Sequence, residues 1–312
     1  MDADVAISNR AWIELLHAEV CWALNRAGVD ALVIKGPSIG EWLYPEGRPE
    51  SADVDVLVRP GHCDAAVEAL AGLDFADTLV GFRGEEPPDH SVTLARTDES
   101  KGHHGVDVHR YFPGIERDPE AAFDIVWSRR TAGTQADLPV WFPDEVTRAL
   151  LIALHEARDP LATKTYEDLR RALAALTEPQ LDDLALVADE LDAQAALRAG
   201  LEAHPDTAAA VDRLGLGDVE VPLEWALLSH AADGTAWRLG RLAEMPLRQR
   251  PGQVTRWLFP SPALMRYRNP EAAEGTVALA RAYAVRLGQG ARRAPRAVRQ
   301  WRDARRSTRH RQ

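Results

Sequence analysis

The chain has 312 residues, with 48 acidic and 37 basic side chains and a formal net charge of −11. That length is enough for a catalytic domain and a separate helical domain. It contains no run of about 20 apolar residues of the kind that spans a membrane, and its acidic start differs from the basic start of a secretory signal, so we expect a cytoplasmic protein. The two cysteines, Cys21 and Cys63, lie in no metal-binding spacing, so neither a disulfide framework nor a zinc site is indicated.

The first half of the chain alternates short strand and helix patterns. Apolar residues at helical spacing predict a helix over 9–27, and a second helix is predicted over 62–71. Short apolar or alternating runs predict strands over 31–34, 53–58, 76–82, 91–96 and 105–111. The first strand ends abruptly at Lys35-Gly36-Pro37-Ser38, a turn that leads into a short helix.

From Pro143 onward the pattern changes to Ala- and Leu-rich amphipathic helices with hardly a strand signal. The predicted helices cover 144–157, 164–176, 181–200 and 222–244. Together the patterns predict an α+β fold, in which a mixed sheet with flanking helices is followed by an all-helical domain. We place the α/β domain at 1–142, the helical domain at 143–290 and a basic tail at 291–312.

The charge is distributed unevenly between the tail and the rest of the chain. Residues 291–312 carry nine Arg against one Asp, a net charge of +8, so the remainder carries −19. Phosphate backbones are held mainly by Lys and Arg, so the acidic body is a poor general platform for nucleic acid. The composition of the tail is typical of a solvated terminal segment, either disordered or helical. The alternative is a contact with an anionic partner such as nucleic acid, a membrane or an acidic protein.

Three aspartates in strand patterns are the strongest candidates for chemistry. Asp53 and Asp55 lie two residues apart on one strand, so their side chains share a face, while Val54 and Val56 face the core. Asp107 has the same aliphatic framing on another strand. Three converging carboxylates would form a two-metal site for phosphoryl transfer. A solvated strand face in an acidic protein is the alternative.

The order of strand, Gly-containing turn, short helix and Asp-x-Asp strand is that of nucleotidyltransferases of the polymerase-β-like superfamily. The chain resembles a family in this superfamily with the pattern LKG…Y…R…DxDxLV…H…(V/I)(D/E)xH and a helical region. The matching positions are Ile34-Lys35-Gly36, Tyr44, Arg48, Asp53 to Val58, His90 and Val106 to His109. Further matches at His155, Asp168-Leu169 and Trp257 to Ser261 extend the resemblance over most of the chain.

The resemblance implies transfer of a nucleoside monophosphate from an NTP to a hydroxyl or phosphate acceptor. It also implies Mg²⁺ or Mn²⁺ held by Asp53, Asp55 and Asp107, with Asp107 placed to deprotonate or orient the acceptor. The acceptor stays open among a small molecule, a peptide, a protein and an RNA. One alternative is a catalytically silent nucleotide- or metal-binding module, such as a regulatory or toxin-type component, and another is a helical scaffold.

Residues around the turn are candidates for nucleotide binding. Lys35 would neutralise phosphate charge, and backbone N–H groups at Gly36 and the following helix N-terminus would face triphosphate oxygens. Pro37 departs from the superfamily's usual Gly-Gly or Gly-Ser turn and removes one such donor. Ser38 would contact a phosphate or cap the helix. Arg48 would clamp a phosphate or pair with a neighbouring glutamate.

One histidine near the acids and three residues of the helical half complete the candidate set. His109 shares a strand face with Asp107, where it would orient a carboxylate, contact the acceptor or only pack. Lys164 and Asp168 lie four residues apart on one helix face, where they would contact the nucleotide or form an ordinary ion pair. His155 presents the same choice between a cleft contact and burial between helices.

Overall fold

The computed structural model describes residues 8–47, 53–78, 90–98, 102–160, 162–230 and 234–310. Within them, the strands are β1 (Ala31–Val33), β2 (Asp53–Val58), β3 (Ala76–Asp77), β4 (Ser91–Asp98), β5 (Gly102–His109), β6 (Arg130–Gln135) and β7 (Leu138–Pro143). The first helices are α1 (Asn9–Arg26), α2 (Pro37–Leu43), α3 (Cys63–Ala71), α4 (Pro119–Ser128), α5 (Glu145–Arg158), α6 (Thr163–Ala175) and α7 (Glu178–Glu190). The remaining helices are α8 (Gln194–Glu202), α9 (Pro205–Arg213), α10 (Leu223–His230), α11 (Thr235–Glu244), α12 (Arg250–Leu258), α13 (Pro262–Arg268) and α14 (Thr276–His310).

Five strands form one mixed sheet in the order β1-β2-β5-β4-β3. β2 runs parallel to β5, and the other neighbouring pairs are antiparallel. β6 and β7 form a separate two-stranded hairpin. The predicted α+β class, a mixed sheet with flanking helices followed by helices, is confirmed.

The two faces of β2 meet different parts of the molecule. Val54 and Val56 are fully buried in a hydrophobic cluster with side chains of α1 and α3. Leu57, on the other face, belongs to a second cluster that includes side chains of α5 to α8. Because side chains alternate along a strand, Asp53 and Asp55 share the face of Leu57. Asp53 and Asp55 therefore lie on the side of the sheet that faces helices α5 to α8.

Two predicted helices are wrong because each corresponds to two shorter ones. The span 181–200 is divided between α7 and α8 around Asp192, whose φ of +51° ends the helix. The N–H of Ala193 then bonds back to the carbonyl of Ala188, as at many helix ends. The span 222–244 is divided between α10 and α11. Periodicity continued across both breaks, so it did not reveal them.

The remaining boundary differences are small. The strand predicted over 105–111 begins and ends earlier, as Gly102–His109, and the described part of the one predicted over 76–82 is Ala76–Asp77. No sequence pattern predicted α4 or the β6–β7 hairpin.

One hydrophobic cluster crosses the boundary that we placed at residue 142. It joins Ile34 and Ile39 of the first half to Leu150 and Leu154 of α5. The division into 1–142, 143–290 and 291–312 stays a prediction, because a shared core does not by itself define or exclude domains.

The described part of the basic tail is helical. It forms the end of α14, where Ala297 packs with Leu227 and Ala236, and Trp301 lies against this small cluster. Among the helices that the structure describes, none is both long enough and apolar enough to cross a bilayer.

Candidate active site

The pairing of β2 with β5 brings two of the three predicted acids side by side. Asp55 lies opposite Asp107, and Asp53 lies opposite Gly105. Asp55 is buried, Asp107 is partly buried and Asp53 is exposed. The backbone N–H of Gly105 donates to the Asp53 carboxylate. The aliphatic residues between the acids hold both strands in the core and thereby fix the face on which the carboxylates lie.

Asp55 is the most strongly bonded of these carboxylates. Its Oδ1 lies 2.8 Å from Lys35 Nζ and 3.1 Å from His109 Nε2. Burial alone would raise the pKa of Asp55, but the hydrogen bond to His109 and the positive charge of Lys35 outweigh it and hold the pKa well below its usual range. Partial desolvation of its carboxylate, together with the neighbouring charges of Asp107 and Asp55, raises the pKa of Asp53. Asp55 is thus the carboxylate best kept ionised.

Asp107, Asp55 and His109 form a group whose composition fits a divalent cation. One ligand atom from each lies within 4.8 Å of the others. Thr93 Oγ1 donates to Asp107 Oδ1 over 2.6 Å and so fixes that carboxylate. The Nδ1 atom of His109 is buried and bonds to no atom of the part of the chain that is described. Carboxylate oxygens suit Mg²⁺ and Mn²⁺, and an imidazole nitrogen is better suited to Mn²⁺.

The turn after β1 has a backbone geometry that requires glycine. Gly36 has φ +66° and ψ −119°, a conformation that side chains strongly disfavour. Pro37 is the first residue of α2, a position where the helix needs no N–H donor. Ser38 is fully buried, and its hydroxyl donates to the Lys35 carbonyl over 3.4 Å. The capping role weighed for Ser38 is wrong, since α2 has no side-chain cap.

A cavity of about 400 Å³ opens beside Asp53 and Asp55 and is lined by residues from both halves of the chain. Its polar wall includes six of the predicted site residues: Lys35, Gly36, Asp53, Asp55, Lys164 and Asp168. His155 and Thr165 complete that wall, and the apolar lining consists of Ile34, Ile39, Phe112, Leu151 and Ile152. A cavity of this size, with an apolar lining and a few convergent charged groups, is typical of a small-molecule site.

The helical wall of the cavity is tied to the α/β half by hydrogen bonds. Tyr44, at the end of α2, donates to Asp168 Oδ1 over 2.6 Å, and both residues are buried. Lys164, one turn earlier on α6, is exposed at the cavity. Arg148 of α5 donates to the Ser38 carbonyl and lies over the Trp42 ring. These contacts fix α2, and with it the Gly36 turn, against the helices.

A sequence profile of the family described as "Uncharacterised nucleotidyltransferase" matches residues 4–205. The chain belongs to this family. The match covers the sheet and the helices that line the cavity and ends at the start of α9. The resemblance to a nucleotidyltransferase family is therefore confirmed, and its extension to Trp257 to Ser261 lies outside the match.

The chain is also similar to proteins of known structure. The chain is similar to an antigenic nucleotidyltransferase-like protein from Paracoccidioides brasiliensis, with 15% identity, a TM-score of 0.40 and coverage of 66% of this chain and 92% of that chain. No curated protein matches the chain significantly.

Two further members of the family pattern are His90 and Arg48. The His90 ring lies 5.5 Å from the His109 ring, centroid to centroid. Burial, with the charges of Arg158, His109 and Lys35, lowers the pKa of His90 to about 4. Arg48 lies outside the described residues.

Sequence reasoning missed several residues that support the site. Thr93 lay inside a predicted strand, but its position opposite Asp107 depends on a strand register that the sequence does not display. Tyr44 was part of the family pattern without an assigned role. Thr165 and the apolar lining carried no motif at all. Their alignment with the acids follows from how α5 and α6 pack on the sheet.

His155 is expected to remain neutral at pH 5.5. Its Nδ1 lies 3.1 Å from Thr165 Oγ1. Burial, and then the charges of Lys35 and Arg158, lower its pKa to about 3, whereas an unfolded histidine titrates near 6.5. Because the folded-state pKa is the lower one, protonation on acidification is delayed to about pH 3. Nitrogen-15 shifts of histidine-labelled protein, assigned with His155→Gln, will test this, and half-protonation near pH 6 would contradict it.

Proposed function

We propose that this member of the family is an active, metal-dependent nucleotidyltransferase that transfers a nucleoside monophosphate from an NTP to a hydroxyl or phosphate acceptor. The observation that carries the proposal is the pairing of Asp55 with Asp107 on adjacent parallel strands, beside a cavity that also holds Lys35. Clustered carboxylates with a cation beside them suit the binding of metal and phosphate together. A cytoplasmic location stays a prediction from the sequence.

Asp55, Asp107 and, in our proposal, Asp53 would hold the cations. Bound Mg²⁺ or Mn²⁺ would supply Lewis-acid activation of the acceptor oxygen and stabilise the charge that develops on the phosphates. Asp53 is outside the group of three close ligands. It is the first residue of β2, on the same face as Asp55, and both residues line the cavity. His109 has a supporting role in this arrangement, because its Nε2 is directed at Asp55.

In this mechanism the acceptor oxygen attacks the α-phosphorus in line with the departing pyrophosphate. The new bond joins the acceptor oxygen to phosphorus, and the bond from phosphorus to the bridging oxygen of pyrophosphate breaks. Asp107, held by Thr93, is the group that takes up or directs the acceptor proton. Lys35 neutralises phosphate charge from the end of β1, and the N–H groups at Gly36 and the start of α2 face the phosphates.

The helical wall would bind the rest of the nucleotide. Lys164 is exposed to the cavity and is placed to contact a phosphate or the base. Asp168 is held by Tyr44 and would orient polar groups of the nucleotide. The apolar lining offers a surface for the base, and the neutral His155 presents a polar edge beside it.

We expect pyrophosphate release and transfer of an α-phosphate label from at least one of the four NTPs, with Mg²⁺ or Mn²⁺. The variant Asp53→Asn, assayed in parallel, should show neither, because it removes a carboxylate from the proposed metal site. Label on an added acceptor or on the protein would establish the reaction and the preferred base. Absence of both turnover and metal-dependent NTP binding would contradict the proposal.

A catalytically silent nucleotide-binding module is the second candidate. Pro37 favours it, because proline removes one backbone donor from the turn that would face the phosphates. The two candidates differ in a single result. Metal-dependent NTP binding without pyrophosphate release, across a broad set of acceptors, would favour the silent module.

A further inference from the structure

Arg158, the last residue of α5, is a partly buried arginine that bonds to no carboxylate of the residues that the structure describes. Burial lowers its pKa, and within the described part of the chain only longer-range charges, those of Tyr111 and Asp159, act against that. Among the other buried or partly buried arginines, Arg59, Arg96, Arg129 and Arg198 bond to carboxylates, whereas Arg130 and Arg148 donate to backbone carbonyls. A guanidinium withdrawn from water without a counter-ion is costly. An anionic ligand would supply the missing charge.

Arg158 stands close to the candidate active site. It lies one helical turn after His155, which lines the cavity, and its charge lowers the pKa of both His155 and His90. The His90 ring lies 6.3 Å from Tyr111 and 5.5 Å from His109, which in turn bonds to Asp55. A line of rings therefore connects the surroundings of Arg158 with the carboxylates.

The strand order decides which substrate Arg158 faces. Lys35 and Gly36 follow β1, and Asp55 is on β2, so the nucleotide-binding turn lies on the β1 side of the acids. His90 immediately precedes β4, which lies on the opposite side of Asp107. A nucleotide bound at the turn leaves the β4 side for the second substrate. The charge of Arg158 acts on His90, so Arg158 is near the side of the acids that a nucleotide at the turn would leave open.

We propose that Arg158, together with His90, forms a phosphate-binding subsite for the acceptor, so that the acceptor carries a phosphate monoester near its reacting group. The planar guanidinium matches phosphate oxygens through two parallel hydrogen bonds. The His90 ring adds a hydrogen-bonding edge. This inference rests on the proposed function only in naming the ligand as the acceptor. A phosphorylated small molecule and a nucleic-acid end share this chemistry.

The test is a binding experiment with the full-length protein. Glycerol 3-phosphate and glycerol are titrated with Mn²⁺ and a non-hydrolysable NTP analogue present. We expect wild type to bind glycerol 3-phosphate and not glycerol. Arg158→Gln should weaken the binding of glycerol 3-phosphate by about tenfold or more, as for the loss of a charged hydrogen bond. Arg158→Lys should retain part of it. Analogue affinity in Arg158→Gln should stay within about twofold of wild type.

Lys164→Gln is the matched control, because Lys164 is a cation on the nucleotide side of the same cavity. It should weaken analogue binding and leave glycerol 3-phosphate binding unchanged. If Arg158→Gln loses affinity for the NTP analogue and for glycerol 3-phosphate equally, Arg158 belongs to the triphosphate site and the proposal is overturned. Unchanged glycerol 3-phosphate binding in Arg158→Gln, or no binding by wild type, would overturn it as well.

Two further arms separate this proposal from the proposed function and identify the source of the phosphate. If the NTP analogue does not bind, Arg158-dependent binding of glycerol 3-phosphate alone still supports a phosphate subsite, while the nucleotide site fails. A 5′-phosphorylated trinucleotide is compared with its 5′-hydroxyl form. Tighter binding of the phosphorylated probe supports the subsite, and comparison with glycerol 3-phosphate shows which source of phosphate fits better.

Discussion

Replacing Asp55 by Asn is expected to lower nucleotidyl transfer by about a thousandfold or more while the protein stays folded. Asp55 is the carboxylate on which Lys35 and His109 converge, and it lies opposite Asp107 in the group suited to a cation. Loss of its charge removes a metal ligand, an effect larger than the 10- to 100-fold typical of groups that only orient ligands. The amide oxygen can still accept from Lys35, so the packing is kept. Turnover measures the loss of nucleotidyl transfer, and a Mn²⁺ titration measures the loss of metal affinity.

The matched control for this substitution is Asp124→Asn on α4. Asp124 is an exposed carboxylate that pairs with Arg59 at 2.8 Å and is not among the residues that line the cavity. Its loss should change activity by less than about twofold, because exposed ion pairs contribute little. An Asp55→Asn protein that keeps more than a tenth of wild-type turnover would show that Asp55 is not part of the reaction. Unchanged Mn²⁺ affinity would exclude it from the metal site.

The sequence allowed the acids to be found because a strand has a fixed period. Asp53 and Asp55 had to share a face wherever the strand lay, and Val54 and Val56 had to face the core. The position of Asp107 beside Asp55 could only be hypothesised, since it depends on β2 running parallel to β5 in one register. Register follows from how whole elements pack, which a local pattern does not contain.

In the helical half, too, the local pattern predicted which residues share a face but not how the helices pack. Periodicity placed Lys164 and Asp168 on one helix face, and the structure shows that this face lines the cavity. Nothing in the sequence distinguished Arg158 from the chain's other arginines, because its position near His155 and His90, and the absence of a bonded carboxylate among the described residues, are visible only in three dimensions. The breaks after α7 and α10 were likewise invisible, since the apolar spacing runs through them. The chemical roles of all these residues stay predictions.

Replacing Gly200 by Ala is expected to destabilise the protein by roughly 2–3 kcal/mol. A Cβ at Gly200 would lie 2.1 Å from the carbonyl oxygen of Ala153 and 3.4 Å from the backbone nitrogen of Ala157. The neighbour is the backbone of α5, which cannot move aside as a flexible side chain would. The clash outweighs the gain of about 1 kcal/mol that Ala normally brings to a helix. Urea unfolding, compared with wild type, measures the difference.

Gly252→Ala on α12 isolates the steric cause. A Cβ there meets no atom within 4 Å, so only the helix preference acts, and stability should stay constant or rise by up to about 1 kcal/mol. If Gly200→Ala is as stable as Gly252→Ala, α8 does not approach α5 as closely as described. The position also matters for function, because α5 carries His155 and Arg158. Displacing this helix should weaken nucleotide and phosphate binding together, unlike Arg158→Gln, which should affect phosphate alone.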